Sequence, residues 1–142
     1  MTGINYSHLG DDRKLVEEMD GCTPVVTLGY LGRAGHCVKL VDLDGRIGGV
    51  SENGLCAMEV ARKEAVIGLE WWVLWPENMR HVLRNAVTRS RLGEVVRFVG
   101  NCPTMNKWPK LWDVTVSPMR DRHGRIVRLL VVSREMGNAK AS

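Results

Sequence analysis

Residues 110–134, "KLWDVTVSPMRDRHGRIVRLLVVSR", constrain this chain more than any other stretch. Trp112, Val114 and Val116 alternate with Asp113, Thr115 and Ser117. Side chains in a strand repeat every second residue, so this is a strand with one apolar face and one polar face. Asp121-Arg122-His123-Gly124 then supplies a tight turn, and "RIVRLLVVSR" is apolar enough for a central strand. The hairpin's apolar face has to be covered by another part of the chain.

Two more segments carry strand patterns. "EVVRFVG" (94–100) alternates, with Val96 and Phe98 on one side. "HCVKLVDLDGRIGGV" (36–50) reads as strand, turn, strand, with Asp44-Gly45 as the turn signal. Val38, Leu40 and Asp42 share one face there, and Cys37, Lys39, Val41 and Leu43 the other. "DGRI" (44–47) and "HGRI" (123–126) mark two hairpins of one style.

The cover comes from the middle of the chain. Pro76 suits the first position of a helix and disfavours helical geometry at Trp75. From there Met79, Val82, Leu83, Ala86 and Val87 fall at helical spacing, Arg80, Arg84, Asn85 and Thr88 take the opposite face, and Gly93 ends the run. Before it, "SENGLCAMEVARKEAVIG" (51–68) has Ser51 as an N-cap and Leu55, Met58 and Val60 as apolar positions. Gly54 and the lack of a sustained stripe predict short, broken turns. At the start, residues 11–20 offer a short helix with Leu15 and Met19 four apart, then a glycine-rich connector. The predicted order is two strands, short helices, one longer helix and three strands. That is an α+β architecture, a five-stranded antiparallel sheet with helices over one face.

Composition narrows the function classes. A chain of 142 residues predicts one domain. Its longest uncharged apolar runs fall short of the ~18 residues of a membrane span, and "MTGINYSHLGDDRK" is no secretory leader. A cytoplasmic protein without membrane contact is expected. The net charge is +4, but the arginines are scattered, so nucleic acid is not an expected partner. Cys22, Cys37, Cys56 and Cys102 form no C-x-x-C pair, which predicts reduced thiols and no zinc site. No nucleophile motif is present, so no enzyme is expected. Asp42 suits a buried general base or a strand-end turn, and the D-x-D-G spacing favours the turn.

Four pieces now stand in order: "VKLVDLDGRIGGVSENG", "IGLEWWVLWPENMRHVL", "EVVRFVGNCPT" and "KLWDVTVSPMRDRHGRIVRLLVVSRE". Together they resemble a PAS domain, most closely those of bacterial sensor histidine kinases. The resemblance implies an N-terminal helix and connector at 1–35 acting as flank or dimer cap, a PAS domain at 36–136 and a tail at 137–142. It implies a sensor of two-component type: a small ligand or cofactor in an apolar cavity, homodimer contacts, and a kinase or other signalling partner. The alternatives are an interaction module with a filled core and, less well supported, a small cone-shaped cavity enzyme. With the faces assigned above, the expected cavity lining is Leu40, Leu55, Met58, Trp72, Trp75, Met79, Leu83, Val87, Phe98, Trp112, Val114 and Leu129.

"EWWVLWPEN" (70–78) holds three of the five tryptophans. Trp72 and Trp75 are three apart and are expected to face inward together, with Trp71 on another side and Trp112 as an opposite wall. Plain core and ligand wall both remain open for these rings. Cofactor identity stays unassigned. Light-oxygen-voltage flavin chemistry needs a cysteine where this chain has Gly68-Leu69-Glu70-Trp71, which leaves only a non-covalent flavin. Haem needs an inward histidine. His81 sits roughly 160–200° around the helix from Met79 and Leu83 and about 120° from Val87, while His8, His36 and His123 read as tail, strand-edge and turn residues. Arg97 is out of phase with Phe98, so no inward basic group is expected and the cavity reads as apolar. The family's Asp-x-Thr exit is replaced by Glu135-Met136-Gly137, which puts covalent output in doubt.

Overall fold

The computed structural model describes residues 36–51, 55 and 58–137. The helix expected at 11–20, the tail after residue 137, His8, Cys22 and Cys56 lie outside the described residues. The alternating segments form β1 (His36–Val41), β2 (Ile47–Val50), β3 (Val96–Asn101), β4 (Leu111–Arg120) and β5 (Ile126–Gly137). They make one antiparallel sheet in the order β2-β1-β5-β4-β3. The closing hairpin thus supplies the two longest strands, with β5 central, as the apolar run from Leu129 to Val132 predicts.

Both turns follow from their aspartates. Asp44 Oδ1 accepts from the Arg46 N–H at 3.0 Å, and Gly45 takes φ +93°. Asp121 Oδ1 accepts from the N–H groups of His123 at 2.8 Å and Arg125 at 3.0 Å. Asp42 serves its turn through the backbone, its N–H donating to the Arg46 carbonyl at 2.8 Å, while its carboxylate faces Arg128 at 3.5 Å.

The helical layer lies between β2 and β3 in sequence and over one face of the sheet in space. Three 3-10 turns, Lys63–Ala65, Trp71–Leu74 and Glu77–Met79, lead into α1 (Arg80–Arg91). Pro76 directly precedes the last of these turns, and Gly93 at φ +106° follows the helix. Leu83, Ala86, Val87 and Ser90 are the buried face of α1. Leu83, Ala86 and Val87 pack with Trp71, Trp75, Val96, Val114, Val116, Leu129 and Val131 in one core.

Strand register settles which residues look into that core. Cys37, Lys39 and Val41 of β1 stand opposite Ser133, Val131 and Leu129 of β5. Val41, Leu129 and Val131 belong to the core, so this parity faces the helices. Leu40 pairs with Leu130, and Val38 with Val132, on the opposite face. The expectation that Leu40 lines the covered side is therefore corrected. Its cause is that β1 is apolar on both faces, so alternation cannot pick one, and the lone charge of Lys39 argues for the wrong one.

The tryptophans are also redistributed. Trp71 is 0% exposed, whereas Trp72 is only half-buried. The Trp71 N–H donates to the Gly45 carbonyl at 2.8 Å, which ties this segment to the β1–β2 turn and points the Trp71 indole into the core. Trp72 instead lies against Gly45 and beneath the Arg84 guanidinium, 5.4 Å from its ring centroid. The chain straightens at Trp75 (ψ 155°), so Trp72 and Trp75 do not share a helical face.

Candidate ligand pocket

A pocket opens where the sheet and the helical layer part. Its floor is Cys37 and Lys39 of β1, Ser133 of β5 and Trp112 of β4. Met58, Val60, Val66, Leu74 and Trp75 wall it from the helical side, and Cys102, Pro103, Thr104 and Met105 from the β3–β4 connection. Its volume is about 40 Å³. Pro103 and Met105 are exposed and mark the mouth.

The β3–β4 connection is pinned over this space. Cys102 N–H donates to the Lys110 carbonyl and Thr104 N–H to that of Trp108, each at 3.0 Å. The Thr104 hydroxyl donates to Glu59 Oε1 at 2.5 Å and accepts from the Trp108 N–H at 3.1 Å. Met105 N–H donates to the Met58 carbonyl at 3.0 Å. At the base, the indole N–H of Trp112 donates to the Cys102 carbonyl at 2.9 Å, so the ring that closes the pocket also holds its rim.

Lys39 is the chemically unusual member. It is 3% exposed, and its ammonium contacts Cys37 Sγ at 2.9 Å. No carboxylate among the described residues pairs with it. The expectation of a pocket without an inward base is corrected by this residue. Arg97 does point away, forming a two-pronged pair with Asp113 on the other sheet face. Cys102 donates its S–H to the Leu74 carbonyl at 3.2 Å. Burial pushes its thiol up to about 11, against the attraction of the nearby Lys39 charge.

Of the residues expected to line a cavity, Met58, Trp75 and Trp112 line this pocket. Leu55, Leu83, Val87, Val114 and Leu129 are core, with Met79 and Phe98 packed against it. Phe98 sits between Trp71 and Trp75, at ring-centroid distances of 6.2 and 5.6 Å. Trp72 and Leu40 do not reach the pocket. Sequence reasoning missed Lys39, Cys37, Ser133, Cys102, Thr104 and Met105. The period-two pattern had already grouped Lys39 with Cys37 and Val41, and only the choice of face hid it.

A haem or flavin does not fit these residues. About 40 Å³ admits only a few water-sized groups, far less than a macrocycle or a three-ring isoalloxazine. Among the described residues no histidine lines the pocket, His81 is exposed on α1, and His36, expected at a strand edge, is buried at the start of β1. Among the described residues no cluster of three or more His, Cys, Asp or Glu side chains could hold a metal.

The sequence profile described as "PAS fold" matches residues 31–141. The chain belongs to the PAS family. This PAS domain has no match among curated proteins. It is similar in structure to the Rhodobacter sphaeroides LOV protein, at 18% identity and TM-score 0.61, over 75% of this chain and 62% of that one. It is likewise similar to the PAS domain of an HTR-like protein from Haloarcula marismortui, at 14% identity and TM-score 0.62, over 92% and 96% of the two chains. The blue-light photoreceptor Aureochrome1 LOV matches at 19% identity and TM-score 0.60, over 71% and 81%. The chain thus spans less than two thirds of the first of these, and at such identities the likeness concerns the fold alone. No helix among the described residues is long and apolar enough to cross a membrane.

Proposed function

We propose that this PAS domain is a signal-sensing module that holds a small molecule in the pocket beneath the β3–β4 connection. The reading includes cytoplasmic bacterial signalling, a homodimer with residues 1–35 as flank and cap, and a kinase or other signalling protein as output partner. The observation that carries it is the composition of the pocket: a buried ammonium and the Ser133 side chain among tryptophan, valine and methionine. A wholly filled core has no use for a charge whose desolvation costs several kcal/mol, on the order of what one core side chain contributes. Ser133 lies on β5, so occupancy would bear on the strand that leads out of the domain.

Interaction without a ligand is the second reading, favoured by apolar side chains that stay exposed among the described residues, Val95, Val99 and Met136. Mass spectrometry of the natively purified protein discriminates the readings. A stoichiometric small molecule supports sensing. A protein that carries none and whose melting temperature no metabolite shifts fits the interaction module instead.

A further inference from the structure

Lys39 carries three N–H donors, and among the described residues the structure gives them one partner, the Cys37 sulfur at 2.9 Å. Sulfur is a weak acceptor, so most of the ammonium's hydrogen-bonding capacity is uncommitted. The Cys102 thiol does not neutralise it either, because burial keeps that thiol protonated near neutral pH. An ammonium at 3% exposure with no carboxylate among the described residues is a buried charge awaiting a counter-charge.

We propose that the pocket binds a compact monocarboxylate whose carboxylate pairs with Lys39 and whose hydrocarbon part rests on Trp75 and Trp112. This deepens the sensing proposal above and rests on it. Ser133 stands directly across the β1–β5 ladder from Cys37, two residues from Lys39, and offers a hydroxyl to the second carboxylate oxygen. The Thr104 hydroxyl is already engaged by Glu59 and Trp108.

Size and charge select the ligand class. A volume of about 40 Å³ accommodates roughly three water-sized groups, comparable to a carboxylate with a very short chain. One ammonium balances one negative charge, whereas a phosphate brings nearly two and demands more donors than the pocket presents. Glu59, held at the rim by Thr104, repels a second carboxylate that reaches toward the mouth.

The test titrates the 142-residue chain with acetate, propionate, acetamide, propionamide and inorganic phosphate at constant ionic strength set by chloride, reading the melting temperature and calorimetric heat. Saturable binding of acetate or propionate is expected, with no response to the amides or phosphate. Lys39→Met, which keeps length and loses charge, should weaken that binding at least ~tenfold while retaining the wild-type far-UV spectrum. Equal binding of acids and amides overturns the carboxylate assignment and leaves the sensing pocket standing. A response to phosphate alone also overturns the assignment. Silence toward every compound overturns the assignment, and together with a purified protein free of any co-purifying molecule it removes the sensing reading as well. The acid–amide comparison uses only the wild type, so it decides the matter even if Lys39→Met fails to fold.

Discussion

A β-carbon added at Gly45 would stand 2.3 Å from Cη2 and Cζ3 of the Trp72 indole. The β1–β2 turn and the tryptophan segment are therefore fitted to each other. Gly45 also takes φ +93°, a backbone region that penalises any side chain. Gly45→Ala is expected to lose roughly 2–4 kcal/mol, combining strain with overpacking. Gly124 is its control, because it shares the positive φ at +83° but has nothing within 4 Å of an added β-carbon. Gly124→Ala should cost only about 1 kcal/mol. Urea denaturation of the two variants checks this, and equal losses would show that Trp72 yields freely.

Asp113 is buried on the sheet face opposite the pocket. It accepts from Arg97 Nε at 2.8 Å and Nη2 at 2.6 Å, and from Arg134 Nη2 at 3.1 Å. The Arg97 hydrogen bonds, assisted by Arg134, hold its carboxyl below the ordinary carboxylate range despite desolvation. A depressed folded value means that the stabilisation is complete above the unfolded value of about 3.9 and fades as pH falls through the folded one. Asp113→Asn should flatten the acid limb of the stability profile below about pH 4. At pH 7 it should cost about 1–2 kcal/mol, kept modest because the Arg97 side chain is 64% exposed. An unchanged acid limb in urea melts across pH would contradict this.

The fold was legible because β3, β4 and α1 each have one apolar side, so burial could be assigned without knowing the partner. β5 showed its central position through length and the apolar run from Leu129 to Val132. β1 did not disclose its orientation, since Val38 and Leu40 match Cys37 and Val41 in character. The pocket was lost with that choice, because Lys39 was left on the solvent side by the ordinary rule that charges face water. Trp71 and Trp72 exchanged roles for a different reason. Their orientation is fixed by the long-range bond from the Trp71 N–H to the Gly45 carbonyl, which no local spacing encodes.

Ser90 is fully buried on α1, and its hydroxyl has no hydrogen-bond partner among the described residues. A desolvated, unsatisfied hydroxyl is a liability, and alanine is the better helix former. Ser90→Ala is expected to raise stability by about 1 kcal/mol. A lower thermal midpoint for that variant would mean that the hydroxyl is serving a contact the structure does not contain.

Trp112 joins β4 to the pocket rim through its indole N–H. Trp112→Phe retains most of the apolar area but leaves the Cys102 carbonyl without that donor, an expected loss of about 1–3 kcal/mol. Trp112→Ala, at 4% exposure, should lose about 3–5 kcal/mol. If both variants lose the same amount in chemical denaturation, the hydrogen bond is irrelevant and packing alone matters.

Cys102 is 8% exposed, and its thiol is pushed up to about 11 by burial. At pH 8 only roughly one molecule in a thousand then carries the thiolate, the form that reacts with alkylating agents. Iodoacetamide should therefore leave Cys102 unmodified in the native protein and label it promptly in urea, as peptide mapping would report. The same shift has a stability sign. A thiol whose folded value lies above the unfolded one near 8.5 favours the folded state below that pH, and the benefit disappears as pH rises toward 11. Native stability should fall across that alkaline interval, and Cys102→Ala should fall less steeply. Rapid native labelling at pH 8 would show instead that the β3–β4 connection opens readily and exposes the pocket beneath it.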